Sequence, residues 1–146
     1  SRHHQLHIDE RLQEIAHGEW EGLLAQEIAE RDPSTFKAWR DAPHTVLMPG
    51  GESIQQVLDR AWQGFAEACL GLGEDDTLLM VAHDAVNRAL LCKILGLGLD
   101  RLWAFRQAPT TLNLLEGDSV DSLAVVRLND CHHHTPLFGE ALHRAL

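Results

Sequence analysis

The sequence predicts an α/β fold, and three observations carry that prediction. Five apolar residues in a row, Leu78-Leu79-Met80-Val81-Ala82, read as a short strand buried on both faces. A helical pattern follows at once, from Ala85 to about Leu95, apolar on most sides and stopped by Gly96. Two further strand patterns, at 111–116 and 120–128, flank Gly117-Asp118-Ser119 and predict a hairpin near the end of the chain. The length, 146 residues, is that of one ordinary domain.

The elements in order begin with a stretch, residues 1–7, that has no periodicity and reads as a flexible start. Leu12-Gln13-Glu14-Ile15-Ala16-His17-Gly18-Glu19-Trp20-Glu21-Gly22 reads as a structured loop, because two glycines bracket an acidic and aromatic cluster. Glu14 stands between Leu12 and Ile15, which should anchor it to the core. Glu19 and Glu21 lack that anchoring and read as solvated. A short helix is expected over 23–30. Asp32-Pro33 then caps and starts another, ending near Arg40. Residues 41–48 read as loop. Pro49-Gly50-Gly51-Glu52-Ser53 turns the chain into the longest helix, where Ser53 and Gln56 form a capping box. Ile54, Val57, Leu58, Ala61, Phe65, Ala68, Cys69 and Leu72 recur at helical spacing and predict a broad buried stripe.

His83 then sits where the buried strand ends and the next helix begins, with Asp84 as the expected cap. Ligands of open α/β sheets bind at that strand edge, and helix N-termini attract anions. The spacing admits two readings: a polar residue at a strand end, or a phosphate ligand. Asp100 is expected to cap a short helix through Phe105, and residues 139–146 to form a weak terminal helix.

Composition narrows the function classes. Twelve Lys+Arg against 22 Asp+Glu give a net charge of −10, which argues against a nucleic-acid surface but not against a local anion pocket. No apolar run is long enough for a membrane span, and no signal peptide is visible. Cys69, Cys92 and Cys131 are odd in number, and the first two lie in apolar helical patterns, so reduced thiols and a cytoplasmic location are expected. Cys131-His132-His133-His134 has no partner pair at zinc-site spacing and reads as solvated rather than metal-binding.

Three segments in this order, Leu12-x-Glu14-Ile15-x-x-Gly18-x-Trp20-Glu21-Gly22, Pro49-Gly50-Gly51-Glu52-Ser53 and Val81-Ala82-His83, resemble the histidine phosphatase superfamily, or phosphoglycerate mutase-like proteins. The resemblance runs from about Asp9 to His132. It implies a mostly parallel sheet flanked by helices, and a histidine nucleophile that becomes phosphohistidine. By the same resemblance Glu14 matches the general acid and His83 the second pocket histidine, which binds the phosphoryl oxygens. The backbone at Asp84 would add a phosphate donor, and Glu52 and Ser53 would support the pocket. No metal or organic cofactor is implied. The expected ligand is a small phosphorylated metabolite, with no nucleic-acid or membrane partner. The activity implied is phosphomonoester hydrolysis, with a mutase-type phosphoryl shift as the alternative.

Two departures stand out. The family usually has glycine after the second histidine, where this chain has Asp84. A carboxylate there would repel phosphate unless it turns away to cap the helix. The family's Arg-His-Gly strand, which carries the nucleophile, and its Ser-x-x-x-Arg-Ala type segment have no match here, and Arg2-His3 lies too close to Glu14 to serve. Residues 1–146 are therefore expected to form a single partial domain, the C-terminal two-thirds of the fold without its N-terminal strand. Two rivals follow: an inactive fragment acting as an anion-binding module, and a metal-binding protein using the histidine-rich tail. Apolar surface near Leu78–Val81 is expected to be uncovered, favouring self-association or capture of the missing segment in trans.

Overall fold

The computed structural model describes residues 6–133. The expected terminal helix at 139–146, the Arg2-His3 pair and His134 lie outside those residues. Four α-helices, α1 (Ala25–Arg31), α2 (Pro33–Asp41), α3 (Ile54–Cys69) and α4 (Asp84–Ile94), precede an antiparallel hairpin of β1 (Leu112–Glu116) and β2 (Ala124–Asp130). Single turns of 3-10 helix at Glu10–Leu12, Gly18–Trp20, Pro43–Thr45 and Leu99–Arg101 shape the loops between them.

Local chemistry sets the helix ends. The Asp32 carboxylate accepts the Thr35 amide at 3.1 Å, with Pro33 in the first turn, so α2 starts as expected. The capping box of α3 forms: the Gln56 amide donates to Ser53 Oγ at 3.3 Å and the Ser53 amide to Gln56 Oε1 at 2.8 Å. Gly96, at φ +66°, terminates α4 as the C-terminal glycine.

The core lies where α3 packs on α4. Ile54, Val57, Ala61 and Phe65 meet Val86, Ala89 and Leu90, and Ile28, Trp39, Met48 and Leu102 extend the cluster. Each large member contributes about 1.5–3 kcal/mol through the water it sheds. Ala68 is exposed and Leu72 lies beyond the end of α3, so the buried stripe is shorter than its sequence pattern.

The expected central strand requires correction. Residues 78–82 pair with no strand among the described residues, and the only sheet there is the two-stranded hairpin rather than a mostly parallel one. Leu79 and Val81 are 77% and 81% exposed, while Met80 and Ala82 rest against the core. The segment thus keeps a strand's alternation with one face covered. Sequence pattern specifies the extended backbone, but burial on both faces needs neighbours that these residues do not supply.

Smaller corrections follow the same logic. Gly98, not Asp100, precedes the 3-10 turn Leu99–Arg101. The hairpin connection is longer than expected because Ser122 folds back on Ser119, delaying β2 to Ala124.

Candidate functional site

Two glycine-bearing loops cross to build the site. The Glu19 amide donates to Pro49 O at 2.8 Å, and the Glu52 amide to Ala16 O at 2.9 Å. A Cβ on Gly51 would lie 2.1 Å from Ala16 O, and one on Gly18 2.2 Å from Pro49 O, so both glycines are required by backbone contact. This crossing presses the first loop against the turn that starts α3.

Glu52 and Arg60 secure the crossing from the helix side. The Glu52 carboxylate accepts Arg60 Nε and Nη2, each at 2.8 Å, and the Ala16 amide at 3.0 Å. These donors hold its carboxyl below the usual carboxylate range, with the Arg60 hydrogen bonds as the largest cause. Ser53, the other residue expected beside the pocket, caps α3.

Glu14 is half-buried, flanked by buried Ile15 and partly buried Leu12. One carboxylate oxygen accepts its neighbour's amide, Ile15 N, at 3.0 Å. The other lies 3.4 Å from the Ala85 amide in the first turn of α4. Glu14 therefore reaches the start of α4, directly after His83. His83 is exposed and is the N-cap residue of α4, with extended backbone and no side-chain capping bond. Its imidazole is thereby left to solvent at a helix N-terminus.

Asp84 is not the cap. It is the first helical residue, and its carboxylate turns along the helix to accept Arg88 Nε at 2.8 Å. Arg88 is buried, donates also to Leu102 O and Phe105 O, and lies 5.2 Å from the Trp103 ring centroid. The i,i+4 partner wins because a buried guanidinium draws a carboxylate, whereas the Ala85 amide already faces Glu14. Trp103 in turn stacks edge-on against Trp39 at 5.4 Å, and Trp39 against His17 at 6.1 Å. This column links the Glu14 loop to α4. Burial pushes the His17 imidazole below its ordinary 6.5, opposed by Glu14 and Glu21, and its Nδ1 meets no partner among the described residues.

Glu19 and Glu21 are exposed, while Trp20 between them is buried. His132 pairs with Asp130 at 2.7 Å, and no group of three metal-ligating side chains occurs among the described residues. Arg60 and Arg88 escaped the sequence reading, although Arg88 follows Asp84 at salt-bridge spacing and Arg60 follows Glu52 by about two helical turns.

A carboxyl group and an imidazole brought to one helix N-terminus can together exchange a proton and stabilise an anion, the chemistry of phosphoryl-transfer enzymes. The sequence matches the histidine phosphatase superfamily (branch 1) over residues 1–131, and the chain belongs to that family. It is 31% identical to phosphoserine phosphatase 1 of Hydrogenobacter thermophilus, over 94% of this chain and 64% of that protein. It superposes on Bacillus stearothermophilus YhfR with a TM-score of 0.78 and 32% identity, covering 86% of this chain and 61% of that one. A mycobacterial glucosyl-3-phosphoglycerate phosphatase in complex with inorganic phosphate gives a TM-score of 0.73 at 27% identity, covering 84% and 63%. The chain thus spans less than two thirds of the length of these relatives. No helix among the described residues is long and apolar enough to cross a membrane.

Proposed function

We propose that this chain carries the acid and phosphoryl-binding half of a phosphomonoesterase site, acting on a small phosphorylated metabolite. The observation that carries the proposal is the reach of Glu14 to the Ala85 amide, at the start of the helix that His83 opens. Glu14 protonates the leaving oxygen and later activates water. His83 and the Asp84 amide hold the phosphoryl oxygens, with Glu52 and Ser53 supporting the pocket. Asp84 is compatible with this role because Arg88 occupies its carboxylate.

The nucleophile comes from an Arg-His-Gly segment outside these 146 residues, forming a phosphohistidine that Glu14-activated water resolves. That segment extends a mostly parallel sheet across the exposed face of residues 78–82, and the chain is one partial domain of it. The lengths of the relatives support this reading. No metal or organic cofactor enters the chemistry, and a cytoplasmic location fits three free cysteines. Taken alone, the chain binds anions without turning esters over.

Phosphatase assays with and without an attached Arg-His-Gly segment test this. Turnover is expected only with the segment, and His83→Ala should abolish it. Equal turnover by the isolated chain, insensitive to His83→Ala, would overturn the proposal.

A further inference from the structure

We infer that Arg60 is the positioning residue for Glu14 and takes no part in binding the substrate anion. The inference rests on the reading of Glu14 as the acid.

A guanidinium carries five N–H donors and no acceptor. In Arg60 all five have partners. Nε donates to Glu52 Oε1 at 2.8 Å, and Nη2 to Glu52 Oε2 at 2.8 Å and Glu14 O at 3.1 Å. Nη1 donates to Arg11 O at 2.7 Å and Gln13 O at 2.8 Å. A saturated guanidinium has nothing left for a phosphate. Its side chain is 21% exposed, and its charge is already matched by Glu52.

The partners bracket one residue. Arg60 grips the chain at Arg11, Gln13 and Glu14, and its ion-pair partner Glu52 grips it at the Ala16 amide. The two sides of the Glu14 Cα are therefore fixed to Arg60 of α3 and to Glu52 just before it, and α3 packs on α4. From this backbone the Glu14 carboxylate reaches the Ala85 amide. Lysine would keep the charge but has three donors in a mobile head, so it cannot hold three carbonyls and a carboxylate together. Arg60 thus sets the distance between the acid and the start of α4 that His83 opens.

The test is a double-substitution comparison by amide NMR at pH 7 on the 146-residue chain. Glu14→Gln should shift the Ala85 amide, because it removes a charged acceptor. In an Arg60→Met background the same substitution should shift Ala85 at least threefold less, and in Arg60→Lys by an intermediate amount. A residue that only adds stability would leave the Ala85 response unchanged in the folded molecules. Should Arg60→Met fail to fold, Arg60→Lys and Glu52→Gln decide the matter by the same criterion. An undiminished Ala85 response in folded Arg60 variants would overturn the inference. A wild-type Ala85 amide indifferent to Glu14→Gln would instead remove the Glu14 reading beneath it.

Discussion

Gly51→Ala tests the loop crossing directly. The new Cβ would stand 2.1 Å from Ala16 O and 2.8 Å from the Gly18 amide nitrogen, both backbone atoms that cannot rotate away. Relief requires the loops to part by about 1 Å, which takes hydrogen bonds near 3 Å out of range. Three are exposed to that movement: the Glu52 amide to Ala16 O, the Ala16 amide to Glu52 Oε2, and the Glu19 amide to Pro49 O. At about 1 kcal/mol each they sum to roughly 3 kcal/mol. Replacing glycine returns about 0.5 kcal/mol by restricting the unfolded chain. The net loss should be about 2.5 kcal/mol, or roughly 8 °C in melting temperature for a chain of this size. Urea and thermal unfolding read it. Gly71→Ala is the control, since its Cβ would meet nothing within 4 Å and should change stability by under about 0.5 kcal/mol. A Gly51→Ala protein as stable as the Gly71→Ala control would refute the backbone-contact argument.

Other predictions follow from neighbouring contacts. Arg88→Met leaves the Asp84 carboxylate without its buried partner and should cost about 3 kcal/mol in urea unfolding. Asp84→Asn should cost a comparable amount, about 3 kcal/mol, because it leaves the buried Arg88 charge without its carboxylate. The depressed pKa of His17 means that the unfolded chain binds its proton more readily than the folded one. Its contribution to stability is therefore full above pH 6.5, falls as pH drops through 6.5, and levels off below the folded value. Wild type should lose more stability than His17→Gln between pH 7.5 and 5.5, and parallel profiles would remove that assignment. Leu79→Lys with Val81→Lys should leave the fold intact, since both side chains are mostly exposed, and should reduce self-association in sedimentation.

The sequence made local chemistry legible and left the neighbours obscure. Asp32-Pro33 and the Ser53–Gln56 box marked helix starts because capping depends only on adjacent residues. Gly96 marked a helix end for the same reason. Asp84 misled because a capping residue type competes with an i+4 arginine, and burial of Arg88 decides the contest. The run 78–82 misled because five apolar residues encode an extended segment but not what covers it. At the site, the glycines marked a structured loop and a turn, but that their backbones meet was visible only in three dimensions. Arg60 was illegible for a deeper reason: three of its five hydrogen bonds go to main-chain carbonyls, which leave no mark in a sequence.

The central claim is that Glu14 is the acid of a phosphomonoesterase site. It is tested most directly by the leaving-group dependence of Glu14→Gln, measured in the chain joined to an Arg-His-Gly segment. An alkyl phosphate needs its departing oxygen protonated, whereas a nitrophenyl phosphate does not. Removing a general acid should lower turnover of the alkyl ester about 10²–10⁴-fold and that of the nitrophenyl ester far less. Equal losses on the two esters would contradict the account.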